Sequence, residues 1–146
     1  MLNMNAKQSP AHAGWTKIKI GDEASFEVEI TQEMVSKFVQ LSGDDNPLHT
    51  NEKFAALKGF PKKVAHGMLL SSLFSKLVGK HFLGDDNLYL SQSMTFRKPV
   101  LVGDSLVVKG VVKDKIESAR ILRIETIIES NGEVVISGEA QVKLNT

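Results

Sequence analysis

His66-Gly67-Met68-Leu69-Leu70-Ser71-Ser72-Leu73-Phe74-Ser75-Lys76-Leu77-Val78-Gly79-Lys80-His81-Phe82 is the most apolar stretch of the chain. Its periodicity predicts a helix over residues 66–82, with Met68, Leu69, Leu70, Leu73, Phe74, Leu77 and Val78 covering most of the circumference. Only Lys76 and Lys80 mark a solvent-facing line. A helix apolar nearly all round is a buried one, so the rest of the chain has to cover it. Gly67, Ser71, Ser75 and Gly79 recur at every fourth position, a ridge of small residues along which a sheet or a ligand can come close. Between Gly67 and Lys80 there is no Asp or Glu.

The two flanks of this helix differ in texture. C-terminal to it, four segments alternate as strands do. Residues 87–97 put Leu88, Leu90, Met94 and Phe96 on one face; residues 105–113 are β-branched and apolar. Residues 120–129 place Leu122, Ile124, Thr126 and Ile128 together, and residues 133–144 turn Val134, Ile136, Ala140, Val142 and Leu144 inward. Asn131-Gly132 is a hairpin signal and Val102-Gly103-Asp104 a weaker turn. N-terminal to the helix, residues 24–30 read as a strand with Phe26, Val28 and Ile30 on one face. Thr31 then caps a helix with Met34, Val35, Phe38 and Leu41 as its apolar stripe and Gly43 as its left-handed end. Residues 44–65 form a long excursion with a short helical piece near 51–57, and such loops tend to carry function. The expected fold is α+β, an antiparallel sheet wrapped around the helix at 66–82. Its edge strands would be hidden by joining two sheets, which predicts a homodimer.

Length and composition exclude several classes. A chain of 146 residues favours one domain, here 15–146, preceded by a flexible N-terminal tail at 1–14. Apolar residues at 42% and charged residues at 24% belong to an ordinary folded domain. The absence of Cys removes disulfides, thiolate metal sites and cysteine nucleophiles. A net charge of +1 supplies no field for holding nucleic acid, and no apolar run is long enough to span a membrane. The tail lacks a secretory core and lacks Arg, so the cytoplasm is the default compartment, ahead of the mitochondrial matrix.

The chemistry-bearing stretch is Ser42-Gly43-Asp44-Asp45-Asn46-Pro47-Leu48-His49. Pro47 fixes its own φ and keeps Asn46 out of the helical region, so the turn can hold an acid and an imidazole at a set separation. Asp with His is the minimum that holds and polarises one water. By residue type alone Asp44 and Asp45 equally suit a turn after a helix, and His49 a loop surface. Gly67 is open in the same way. It suits a tight helix entry, or it offers a helix-start N–H to an oxygen gaining negative charge. His66 reads as a packed or capping residue, and with no other His at helical spacing no metal site is expected.

Taken together these segments resemble a known family. Asp44-Asp45-Asn46-Pro47-Leu48-His49 is similar to the D-x-N-P-x-H motif of the MaoC-like hydratases, the hot dog-fold (R)-specific 2-enoyl-CoA hydratases. The likeness continues through Phe60-Pro61, His66-Gly67-Met68-Leu69-Leu70, Ser71-Ser72-Leu73-Phe74-Ser75, Tyr89 to Phe96 and Pro99-Val100. It covers residues 31–144 in order, and is greatest to the short, single-domain hydratases that feed polyhydroxyalkanoate synthesis. The resemblance implies a hot dog fold and (R)-specific hydration of trans-2-enoyl-CoA to (R)-3-hydroxyacyl-CoA, with dehydration in reverse. It implies that Asp44 and His49 are the catalytic pair that holds the water. It puts the Gly67 N–H at the thioester carbonyl and makes Ser75 a site-lining support of the pair.

No cofactor is expected, since no Gly-rich dinucleotide or phosphate-loop pattern is present. Three rival readings use the same scaffold: a 3-hydroxyacyl-acyl-carrier-protein dehydratase, a hot dog acyl-CoA thioesterase and a non-catalytic acyl-thioester-binding module. The acid-free helix speaks against a helix-borne thioesterase carboxylate, and the complete Asp44/His49 motif against a mere binder. Lys58, Lys62, Lys63, Arg97 and Lys98 suit the phosphates of coenzyme A, an acidic carrier protein, or plain solvent.

Overall fold

The computed structural model describes residues 14–82 and 85–145. The flexibility expected of the N-terminal tail concerns residues that lie, Gly14 apart, outside the described ones. A short 3-10 turn, Trp15–Lys17, leads into β1 (Glu23–Glu29) and α1 (Gln32–Ser42). Two short helices follow, α2 (Pro47–Thr50) and α3 (Glu52–Leu57), then the central helix α4 (Gly67–Lys76). The remainder is strand: β2 (Asn87–Gln92), β3 (Thr95–Phe96), β4 (Ser105–Ile116), β5 (Ile121–Ser130) and β6 (Glu133–Leu144). Every pairing is antiparallel, in the order β1-β4-β5-β6-β2, with β3 also on β6.

One face of this sheet carries the core. Alternate residues of β5 (Leu122, Ile124, Thr126, Ile128) are fully buried, as are Leu106, Val108 and Val112 of β4. They pack on Leu70, Phe74, Leu77, Val78 and Phe82 of the central helix and its extension. Gly110 of β4 permits the approach, because a Cβ there would stand 3.0 Å from Leu77 Cδ2 and 3.1 Å from Ile124 Cγ2. The result is the expected α+β hot dog arrangement, a sheet around one long helix. Asn131 (φ 51°) and Gly132 (φ 76°) both take positive φ, which matches the twist of the β5–β6 hairpin.

Four sequence expectations are corrected. The central helix is α-helical only to Lys76, and Leu77–Phe82 continues as a π-helix. Leu77 and Phe82, five residues apart, are both buried. In an α-helix they would lie about 140° apart, whereas i→i+5 turns stack them. Residues 87–97 are not one strand. After Gln92 the chain leaves the ladder, and the Ser93 carbonyl crosses directly over Gly138 of β6. Leu88, Leu90 and Phe96 do not face the core but are half-exposed, while Tyr89 is the residue of β2 that packs on it. Tyr89 donates to Gln92 Oε1, and Gln92 Nε2 donates to the buried Thr126 hydroxyl (2.8 Å). Burial pushes the Tyr89 phenol up to about 12. Finally, Leu41 is exposed, because α1 leaves the core in its last turn and residues 40–47 all face solvent.

Candidate active site

The acid stands on a loop built from short-range hydrogen bonds. Thr31 caps α1 by accepting from Met34 N (3.2 Å), and Gly43 ends it at φ 76° with its N–H on Val39 O. Only a residue free of Cβ strain takes that conformation readily. The Ser42 hydroxyl donates to Phe38 O (2.7 Å) and accepts from Asp44 N (3.1 Å). One carboxylate oxygen of Asp44, Oδ1, accepts from Asn46 N (3.2 Å), and Asn46 Oδ1 accepts from Leu48 N (3.0 Å) to cap α2. With Pro47 at the first helical position, the side chains of Asp44 and Asn46 fix the backbone of their own turn.

This leaves Asp44 Oδ2 facing His49 Nε2 at 4.0 Å. The imidazole's other nitrogen, Nδ1, meets the Val64 carbonyl at 2.5 Å. A carbonyl oxygen can only accept, so Nδ1 carries a proton, and the neutral form of His49 presents a bare Nε2 lone pair to the acid. Two acceptors 4.0 Å apart cannot bond each other. A single water donating to both would span about 4.5 Å, given hydrogen bonds near 2.8 Å and a near-tetrahedral angle. The side chain of Asp44 is 52% exposed and that of His49 only 15%, so the acid faces the solvent and the base backs onto protein.

Both side chains line a cleft of about 720 Å³. Its wall includes Phe38, His66, Gly67, Met68, Leu70, Phe96 and Val100, an apolar enclosure with few polar groups. Gly67 is the first residue of α4, so its N–H has no carbonyl within the helix to bond. The Phe96 ring lies over it: a Cβ at Gly67 would be 2.8 Å from Phe96 Cε1. Asp44, His49 and Gly67 are therefore brought to one cleft.

Ser75 is not brought there within one chain. It is exposed and absent from the cleft wall, eight residues from Gly67, or about 12 Å along the helix. The small-residue ridge explains this, since positions four apart drift by about 40° around a helix. Gly67 meets Phe96, Ser71 is buried with its hydroxyl on Gly67 O (2.8 Å), and Ser75 and Gly79 reach solvent. Arg97 and Lys98 do line the cleft, and each is engaged, Arg97 Nε on Ser137 Oγ (2.7 Å) and Lys98 on Glu133 (2.7 Å). Lys58 sits over the Phe54 ring.

The sequence reading missed what His66 does. Its backbone caps α4, but its side chain does not. Nε2 reaches across the loop to the Asp44 carbonyl (2.9 Å), and the ring stacks on His49 with centroids 3.8 Å apart. The bond spans 22 residues, so no local pattern announces it. Asp44, His49 and His66 can present atoms within 4.8 Å of one another. Near-parallel rings (26°) point their nitrogens alongside rather than at one centre, and one nitrogen of each is already on a carbonyl. That geometry suits imidazoles held by main-chain carbonyls better than ligands to a metal ion.

Comparison with known proteins places the chain in a family. The family model of the MaoC like domain matches residues 16–133. The chain belongs to the MaoC-like domain family. An (R)-specific enoyl-CoA hydratase of Aeromonas caviae is 38% identical to this chain over 128 residues, 87% of this chain and 96% of that protein. A 3-hydroxybutyryl-CoA dehydratase of Methylorubrum extorquens is 35% identical over 127 residues, 87% and 81% respectively. The solved structure of the A. caviae (R)-hydratase, described as involved in PHA biosynthesis, superposes with a TM-score of 0.84 over 87% of this chain and 97% of that one. The matched residues include the 44–49 loop, the central helix and strands β1 to β5.

Proposed function

We propose that this MaoC-like domain is a hydro-lyase that adds water to trans-2-enoyl-CoA, giving the (R)-3-hydroxyacyl-CoA, and catalyses the reverse dehydration. The observation that carries the reading is the Asp44/His49 pair. An acid and a tautomer-fixed imidazole face each other at 4.0 Å inside an apolar cleft that ends at a helix N-terminus. The water oxygen bonds the β-carbon while one of its O–H bonds breaks, and Asp44 takes that proton. His49 Nε2 accepts the second O–H, which orients the oxygen. The alkene pair moves onto the thioester oxygen, received by the Gly67 N–H. The proton returns through the pair to the α-carbon, so the pair ends as it began. Addition from the one face that the pair serves gives a single enantiomer. No redox or electrophilic cofactor enters this scheme. The enzyme acts in the cytoplasm as a homodimer joined over the half-exposed β2 edge, and a partner's surface beside Ser75 would complete the acyl site there.

The test is the loss of enoyl-thioester absorbance with crotonyl-CoA, read beside free-thiol detection, for wild type and Asp44→Asn. Absorbance loss without thiol, abolished in the variant, is the expected result. Thiol release would replace the hydratase with a thioesterase.

A further inference from the structure

His66 is 2% exposed, yet it is a polar side chain set between the parts of the candidate site. Its Nε2 lies 2.9 Å from the main-chain carbonyl of Asp44. Since the carbonyl can only accept, Nε2 carries a proton, so the neutral form of His66 is the opposite tautomer to that of His49. Its Nδ1 is buried without a hydrogen-bond partner among the described residues. Its ring stacks on His49 at 3.8 Å and meets the Phe38 ring at 4.8 Å, tilted by 58°. Its backbone is the cap from which Gly67 starts α4. A buried polar nitrogen left unpaired is costly, and an apolar side chain of similar shape would avoid that cost. Packing alone therefore does not account for an imidazole here.

We propose that His66 is a positioning residue, whose Nε2–H holds the main chain of Asp44 while its ring face holds His49, so that one side chain sets the spacing of acid and base. The inference rests on the reading of Asp44 and His49 as the water-holding pair. Its Nε2 and its ring face are both engaged with the pair. It acts by fixing those two groups, and it ties both to the helix that presents the Gly67 N–H. Misplacing reacting groups by about 1 Å costs on the order of 10²-fold in rate, which sets the scale of the effect.

Three variants separate the roles. His66→Gln keeps a side-chain N–H that reaches the Asp44 carbonyl, His66→Phe keeps a ring without the donor, and His66→Ala keeps neither. With crotonyl-CoA, His66→Phe and His66→Ala should lose about 10²-fold in kcat with KM unchanged, and His66→Gln should recover most of the loss. A kcat for His66→Phe equal to wild type would overturn the proposal. So would a change confined to KM, or a glutamine variant no better than phenylalanine at equal thermal stability. Long-range 1H–15N spectra of the wild-type imidazoles give a readout independent of activity and of whether a variant folds. His66 should be bare at Nδ1 and protonated at Nε2, and the reverse tautomer would sink the idea. If wild type fails to hydrate crotonyl-CoA, the hydratase reading falls, while the tautomer still decides whether His66 holds Asp44.

Discussion

Replacing Gly67 by alanine tests the carbonyl position with the smallest change the chain allows. The new methyl would stand 2.8 Å from Phe96 Cε1, 2.9 Å from Cδ1 and 3.0 Å from Cζ. Ordinary carbon contacts lie near 3.5–4.0 Å, so the ring must retreat by roughly 1 Å. It can do so, because Phe96 is 53% exposed on a two-residue edge strand. Alanine is also favoured over glycine in a helix by up to about 1 kcal/mol. Stability should therefore change by less than about 1 kcal/mol, a shift of roughly 2–4 °C in Tm at this size. Activity should respond differently. The N–H remains, but a methyl now occupies the approach of a thioester oxygen, and a displaced oxyanion costs on the order of 10²-fold in kcat/KM. Crotonyl-CoA hydration and thermal melting, measured on the same preparation, separate the two effects. An unchanged kcat/KM with an unchanged Tm would remove Gly67 from the carbonyl position. Full recovery in Gly67→Ala/Phe96→Ala would assign the loss to the displaced ring instead.

Three further outcomes are expected. Gly138→Ala should destabilise the domain by about 3 kcal/mol or more in urea unfolding, because its Cβ would lie 1.8 Å from the Ser93 carbonyl oxygen, which is backbone and cannot swing away; a loss under about 1 kcal/mol would mean that the crossing is not tight. Tyr89 is the single tyrosine, and its phenolate absorbance should rise with a midpoint near 12 rather than 10. Because burial favours the neutral phenol, the associated stability is whole below pH 10 and declines as pH climbs toward 12; a midpoint at 10 would place Tyr89 in solvent. Leu88→Glu with Leu90→Glu should convert a dimer into a monomer by light scattering with little change in Tm, and a persistent dimer would move the interface elsewhere.

The sheet and its central helix were legible because their signals are local. Alternation named the inward residues of β5, Thr31 and Gly43 marked both ends of α1, and Asn131-Gly132 marked the hairpin. What stayed hidden depends on contacts far apart in sequence. The break after Gln92 exists because β6 offers Gly138 for a carbonyl to cross, which the alternation of residues 87–97 cannot reveal. Leu88 and Leu90 look like core residues because alternation alone does not tell an exposed edge strand from one packed on the core. At the site, the D-x-N-P-x-H spacing located Asp44 and His49, but the His66 bond spans the whole excursion between them and α4.

That excursion has a consequence for how the protein ages under heat. The proposed acid and base stand on residues 44–65, where α2 buries nothing and α3 buries only Ala55. The segment is moored by Val64 on Leu101, Ala65 on Val100 and the two stacked histidines. The sheet beneath it shares none of these bonds. Opening of this segment is therefore expected to precede unfolding of the sheet. Warming should silence the enzyme while its circular dichroism remains native, so the temperature at which it stops working and the temperature at which it melts are set by different parts of the chain.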